Sequence, residues 1–176
     1  MPEQKKLLIV DGYNVLRSGS HYEGLRSLMP DYGDEAFNAA REALINDVGV
    51  FAGHEYHALV VFDGGGNRFS DGQPSNIGGV EVVFSPAGVT ADTVIEERAK
   101  QAAAKRVEVL VVTSDATTQW TVLDSQVRRM SAKGFYEELK ALESEMEPYN
   151  KQSPGKNTLG ERLPPEVLKE LKDRFG

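Results

Sequence analysis

The chain has no cysteine, one tryptophan and three histidines in 176 residues. Without cysteine, disulfides and thiolate metal centres are excluded. His21, His54 and His57 share no metal-ligand spacing on a common face, so they read as surface or strand-start residues. No apolar run approaches the roughly 18 residues of a membrane helix. The first residues, MPEQKK, are polar and lack the apolar segment of a signal peptide. A cytoplasmic protein with no membrane contact is therefore expected; oligomeric state is left unassigned. Basic charge is also scarce: the net charge is -7, which argues against bulk electrostatic attraction to nucleic acid.

The acidity is uneven. Residues 1–125 carry ten Lys and Arg against eighteen Asp and Glu, whereas residues 126–176 carry ten against nine. Such a division suits an acidic cleft beside a more basic surface, and equally suits scattered surface charge.

Three apolar runs read as buried parallel strands: KLLIVD (6–11), HALVVFD (57–63) and VEVLVVTSD (107–115). They lack strict alternation, as expected when both faces of a sheet are covered. A fourth, GVEVVFS (79–85), reads as a strand nearer an edge. Helical patterns lie between them. In 34–52, Ala36, Phe37, Ala40, Leu44 and Val48 fall near one face. In 90–106, Val94, Ile95 and Ala99 are spaced for burial. A shorter helix is expected to start in 117–126, and another in 131–149 with Leu139 and Leu142 apolar. Strands alternating with helices imply a parallel α/β sheet with right-handed crossovers. The Gly-rich stretch 64–79 reads as a mobile loop bordering the site. One domain is expected over 5–149, followed over 150–176 by a linker and a short helix (165–175).

The functional signal is a repeat. Each of the three core strands runs into an aspartate: Asp11, Asp63 and Asp115. In an open parallel sheet, ligands sit beyond the C-terminal strand ends. In TADTVIEER, Thr90 is a plausible N-cap and Asp92 falls in the first helical turn; Glu96 is on the same face. For any single acid, a turn or cap is the more ordinary explanation. Three together with Asp92 weaken that explanation. Clustered carboxylates repel each other unless cations sit among them, and oxygen-only clusters suit Mg²⁺ or Mn²⁺. Metal-dependent phosphodiester cleavage uses such a cluster.

The ordered set LLIVDGYNVL, VVFDG, VTADTVIEE, VVTSDATTQW and RRMSAKGFYEEL resembles the YacP-like NYN domain family of the PIN-like nuclease superfamily. The resemblance covers roughly residues 5–147. It implies a PIN-like three-layer sandwich with a central, mostly parallel sheet and a C-terminal helical tail. It also implies a metal-dependent endoribonuclease acting on mRNA in association with the ribosome. By motif, Asp11, Asp92 and Asp115 would hold Mg²⁺ or Mn²⁺, Asn14 would orient Asp11 or touch a phosphate, and Asp63 and Glu96 would contribute through bound water or support the ligands. Ser114 matches a polar neighbour of the last acid.

Other residues have two readings each. Arg128, Arg129 and Lys133 would contact RNA phosphate or ribosomal RNA, or be solvated charges at a helix start. Arg17 and Arg68 are alike in this. Tyr13 would stack on a base or pack against the sheet; Trp120 more often packs in a core. Gly64-Gly65-Gly66 lacks the Lys-Ser/Thr of a phosphate loop. Two rival functions stay open. One is a non-catalytic RNA- or ribosome-binding module of the same fold. The other is a phosphoesterase for small substrates, disfavoured because no Asp-x-Asp pair follows the first strand.

Overall fold

A computed structural model describes residues 4–27, 33–65, 71–115 and 125–152. The chain divides into two compact units, residues 1–140 and 141–176. In the second, residues 141–152 are helical.

Six strands form one sheet: β1 (Lys6–Asp11), β2 (Tyr56–Phe62), β3 (Ser75–Ile77), β4 (Val80–Phe84), β5 (Val109–Val112) and β6 (Val127–Met130), in the order β3-β4-β2-β1-β5-β6. All neighbours are parallel except the β3–β4 hairpin. The helices are α1 (Gly12–Arg17), α2 (Glu23–Ser27), α3 (Gly33–Ala52), α4 (Ala91–Ala104) and α5 (Ala132–Gln152).

Strand side chains alternate between faces, and here both faces are apolar. Leu8 and Val10 of β1, Val60 and Phe62 of β2, and Leu110 and Val112 of β5 pack with Val15, Leu44, Val48 and Phe135 from α1, α3 and α5. Ile9, Leu59, Val61, Val109 and Val111 pack with Ala91, Ile95 and Ala99 of α4. The result is a three-layer sandwich. Each fully buried Leu, Ile or Val contributes about 1.5–3 kcal/mol. The small buried face of α4 lets that helix lie close on the sheet.

Several elements differ from expectation. Directly after Asp11 stands a short helix, α1, which gives too little length for a helical period to show in sequence. Gly12 opens it because nothing larger fits: a Cβ there would lie 2.3 Å from Cε1 of Phe62. The 64–79 stretch contains β3, and Gly78 and Gly79, both at positive φ, make the two-residue turn into β4. Residues 127–130, expected to precede a helix, form the edge strand β6. The helix expected over 117–126 falls largely outside the described residues, as do Trp120 and the linker and terminal helix after residue 152; residues 125–126 form a turn.

Candidate active site

The sheet order reverses between β1 and β5: the chain winds outward through β2 and β4, then crosses to the other side of β1. A parallel sheet opens a crevice at such a point, beyond the strand ends. Asp11 ends β1 there, and Asp115 follows β5. Parity sets the rest. Asp11 follows Ile9 by two, Asp63 follows Val61 by two, and Thr113 follows Val111 by two, so all three share the α4 face of the sheet. Asp92 stands in the first turn of that helix.

The contacts agree. Asp63 Oδ2 accepts from the backbone N–H of Ala91 at the start of α4, at 3.4 Å, and its Oδ1 accepts from Gly65 N at 2.8 Å. Ser85, fully buried, accepts from Gly64 N at 2.9 Å and so fixes the turn that carries Asp63. Asp11 is 9% exposed. Its Oδ1 caps α1 by accepting from Asn14 N, and Thr113 Oγ1 donates to its Oδ2, both at a long 3.4 Å. Thr113 Oγ1 in turn accepts from Asp115 N at 3.2 Å. Asn14 Oδ1 accepts from Ser114 N at 2.8 Å. Ser114 Oγ accepts from Ala132 N at 3.1 Å, which ties the loop after β5 to the start of α5.

The electrostatics mark these acids as one group. Burial pushes the Asp11 carboxyl up to about 6; the Asn14 N–H bond opposes the rise, Asp92 adds to it, the Thr113 hydroxyl opposes it and Asp115 adds again. Asp92 is raised by partial burial, then by Asp115 and Asp63. Asp92 and Asp115 therefore act on Asp11, and Asp115 and Asp63 on Asp92, across four separate parts of the chain. Glu96 is not among the acids acting on Asp11 or Asp92. One turn further along α4, it pairs with Lys100.

Among the described residues, no three carboxylates or histidines converge closely enough to form a closed metal-ligand set. Mg²⁺ does not require one. It keeps several waters and uses one or two carboxylates. An oxygen-only group of mutually repelling acids, with Asp11 held among the described residues by two long hydrogen bonds, fits such an ion.

The basic residues separate. Arg128 and Arg129 are adjacent on β6, so they point to opposite faces and form no single patch. Of the two, Arg129 reaches toward the acids, donating to the Asp115 carbonyl at 3.4 Å; Arg128 lies within electrostatic range of Tyr56 at the start of β2. Lys133, highly exposed in the first turn of α5, lines a cleft with Ser18, His21, Ser114, Tyr136 and Lys140. Arg68 lies outside the described residues. His21, His54 and His57 are exposed.

Tyr13 is half-buried against Phe62, with ring centroids 5.1 Å apart, and the Arg17 guanidinium lies 5.4 Å from its ring centre. Its hydroxyl accepts from Arg41 Nη1 at 2.6 Å. Arg41, Thr113 and Ser85 escaped sequence reasoning. Thr113 carried a usable signal, two residues before Asp115 and in phase with the strand. Arg41 carried none, because a lone arginine in α3 reads as solvated charge.

A family model described as YacP-like NYN domain matches residues 8–175. A Bacillus subtilis (strain 168) relative named uncharacterized protein YacP is 28% identical over 142 residues, which is 80% of this chain and 79% of that protein. The crystal structure of Rae1 (YacP) from Bacillus subtilis is 26% identical, with a TM-score of 0.59 over 96% of this chain and 94% of that one. A tryptophan-to-leucine mutant of the same protein is 24% identical and shares the fold at a TM-score of 0.65, over 96% and 99% of the two chains. The match runs through every strand that delivers an acid to the crevice, and on that extent the chain belongs to the YacP-like NYN domain family.

Proposed function

We propose that the protein is an Mg²⁺- or Mn²⁺-dependent endoribonuclease that cleaves mRNA, presented to it in association with the ribosome. The observation that carries this reading is the placement of Asp11, Asp63 and Asp115 at the C-terminal ends of neighbouring strands, beside the first turn of α4 that carries Asp92. Membership of a nuclease-like family supports it. Asp11, Asp92 and Asp115 would hold the ion, some of them through its bound waters, since no three acids among the described residues converge into a closed ligand set. When bound, it would neutralise phosphate charge and lower the pKa of the attacking water.

The chain's own residues supply positioning. Asn14 and Thr113 fix the Asp11 carboxylate. Asn14, through Ser114 N, also sets the loop that carries Asp115. Asp63 and Ser85 fix the start of α4, and with it Asp92. Water adds to phosphorus, the bond to the leaving ribose oxygen breaks, and the leaving oxygen takes up a proton.

The acidic body repels free RNA, so a large partner that delivers the strand suits this protein better than capture from solution. A cytoplasmic setting follows from that partner. The second reading, a non-catalytic RNA- or ribosome-binding module, draws on the lack of a closed ligand set among the described residues. A saturable Mn²⁺ site that disappears in Asp11→Asn, together with mRNA cleavage lost in Asp92→Asn, would support the enzyme. Ribosome binding with neither property would support the module.

A further inference from the structure

Beside the acids, on the opposite face of the same sheet edge, stands a group that the acidic chemistry does not use. Phe84 ends β4 in register with Phe62 of β2. The two rings stack, with centroids 5.3 Å apart and planes 27° from parallel. Phe62 also packs on Tyr13. Over these three rings lies the Arg41 guanidinium from α3, 5.7 Å from the centre of Phe84 and 6.0 Å from those of Phe62 and Tyr13. Phe62 precedes Asp63, and Tyr13 comes two residues after Asp11, so the group borders the acidic crevice.

Two features point outward from it. Phe84 is 38% exposed, one of four large apolar side chains at the surface among the described residues. Arg41 is half-buried and always charged, yet its ion-pair range contains no carboxylate among the described residues. Its polar contacts are the Tyr13 hydroxyl and the Asn38 side-chain oxygen, both neutral. In so acidic a body, an arginine that pairs with no carboxylate among the described residues is oriented for an anion that comes from outside. A planar cation held beside an exposed ring matches a nucleotide, with phosphate for the guanidinium and base for the ring.

We propose that Arg41, held by Tyr13, and Phe84 form a nucleotide subsite beside the acidic crevice, where Phe84 stacks one splayed base of single-stranded RNA and Arg41 binds the adjoining phosphate. The proposal rests on the reading of RNA as substrate and adds the place and manner in which the strand is held.

The test is equilibrium binding of a fluorescent single-stranded RNA oligonucleotide to the full chain carrying Asp92→Asn, across a salt series with Mg²⁺. Adding Arg41→Met should weaken binding about tenfold and flatten the salt dependence by about one phosphate contact. Arg41→Lys should keep the salt dependence. Phe84→Leu should weaken binding about tenfold without altering the salt dependence. Thermal unfolding shows which variants keep the fold; if Arg41→Met does not, Arg41→Lys and Phe84→Leu carry the test. Unchanged affinity in folded variants, or no binding by the Asp92→Asn parent, overturns the subsite. If wild type cuts RNA while those affinities are unchanged, the subsite fails and the nuclease stands. If the variants weaken binding in a chain that never cuts, the subsite stands and the nuclease fails.

Discussion

The side-chain oxygen of Asn14 accepts a hydrogen bond from the backbone N–H of Ser114 at 2.8 Å, across 100 residues of sequence. The same residue's backbone N–H caps into Asp11. Asn14 therefore couples the end of β1 to the loop after β5, and so couples two of the acids. Asn14→Ala should cost about 0.5–1.5 kcal/mol of stability through the lost hydrogen bond to Ser114. It should slow cleavage about 100-fold by loosening Asp115. Urea unfolding and single-turnover cleavage measure the two losses; a variant that cuts at the wild-type rate contradicts the coupling.

Asp11 costs the fold stability at neutral pH. Its folded pKa is about 6, above the ordinary 3.8. Between those values the folded state binds more protons than the unfolded state, so stability falls as pH rises through this window. Below about pH 4 both states are protonated and the penalty is absent. Asparagine caps a helix as well as aspartate does. Asp11→Asn should therefore be more stable than wild type at pH 7.5, by about 2–3 kcal/mol in EDTA. The advantage should vanish near pH 4. Unfolding curves over that pH range check it; a less stable variant at pH 7.5 contradicts it.

Gly12→Ala should destabilise by about 1–3 kcal/mol, because the added methyl meets the Phe62 ring and the core there has no slack. Adding Phe62→Leu should recover part of the loss, a coupling that a double-mutant cycle measures. Additive losses would contradict the steric account.

The opposite faces of β6 separate its two arginines. Arg129→Gln should weaken RNA or ribosome binding and reduce the salt slope by about one contact, whereas Arg128→Gln should leave both unchanged. Equal effects from the two would mean that they act as one patch, contrary to their placement.

Much of this was legible in the sequence. The runs 6–11, 57–63 and 107–115 announced β1, β2 and β5 because burial on both faces demands continuous apolar residues, and the aspartates after them announced the crevice. The hairpin β3 was missed although Gly78-Gly79 between Ile77 and Val80 was a readable turn signal. β6 was missed because VRRM has two charges in four residues, a composition that an edge strand tolerates and a core strand does not. α1 was too short to show a period. Ser85 acts through a hydrogen bond to a segment distant in sequence, and Arg41 through three rings from different strands and helices, so no local pattern could reveal them, whereas Thr113, two residues before Asp115 and in phase with the strand, was readable. Asp92 was legible as a first-turn acid after Thr90, but its nearness to Asp63 and Asp115 depends on where the sheet sets α4 down.

The most direct test of the central claim compares wild type with Asp92→Asn on mRNA, in Mg²⁺ or Mn²⁺, with and without translating ribosomes. The acidic group as a metal-dependent cutting centre predicts internal cleavage by wild type, lost in EDTA and reduced to below about 1% in the variant, with ribosomes raising the rate. No cleavage by wild type under any of these conditions, or equal cleavage by both proteins, would contradict it.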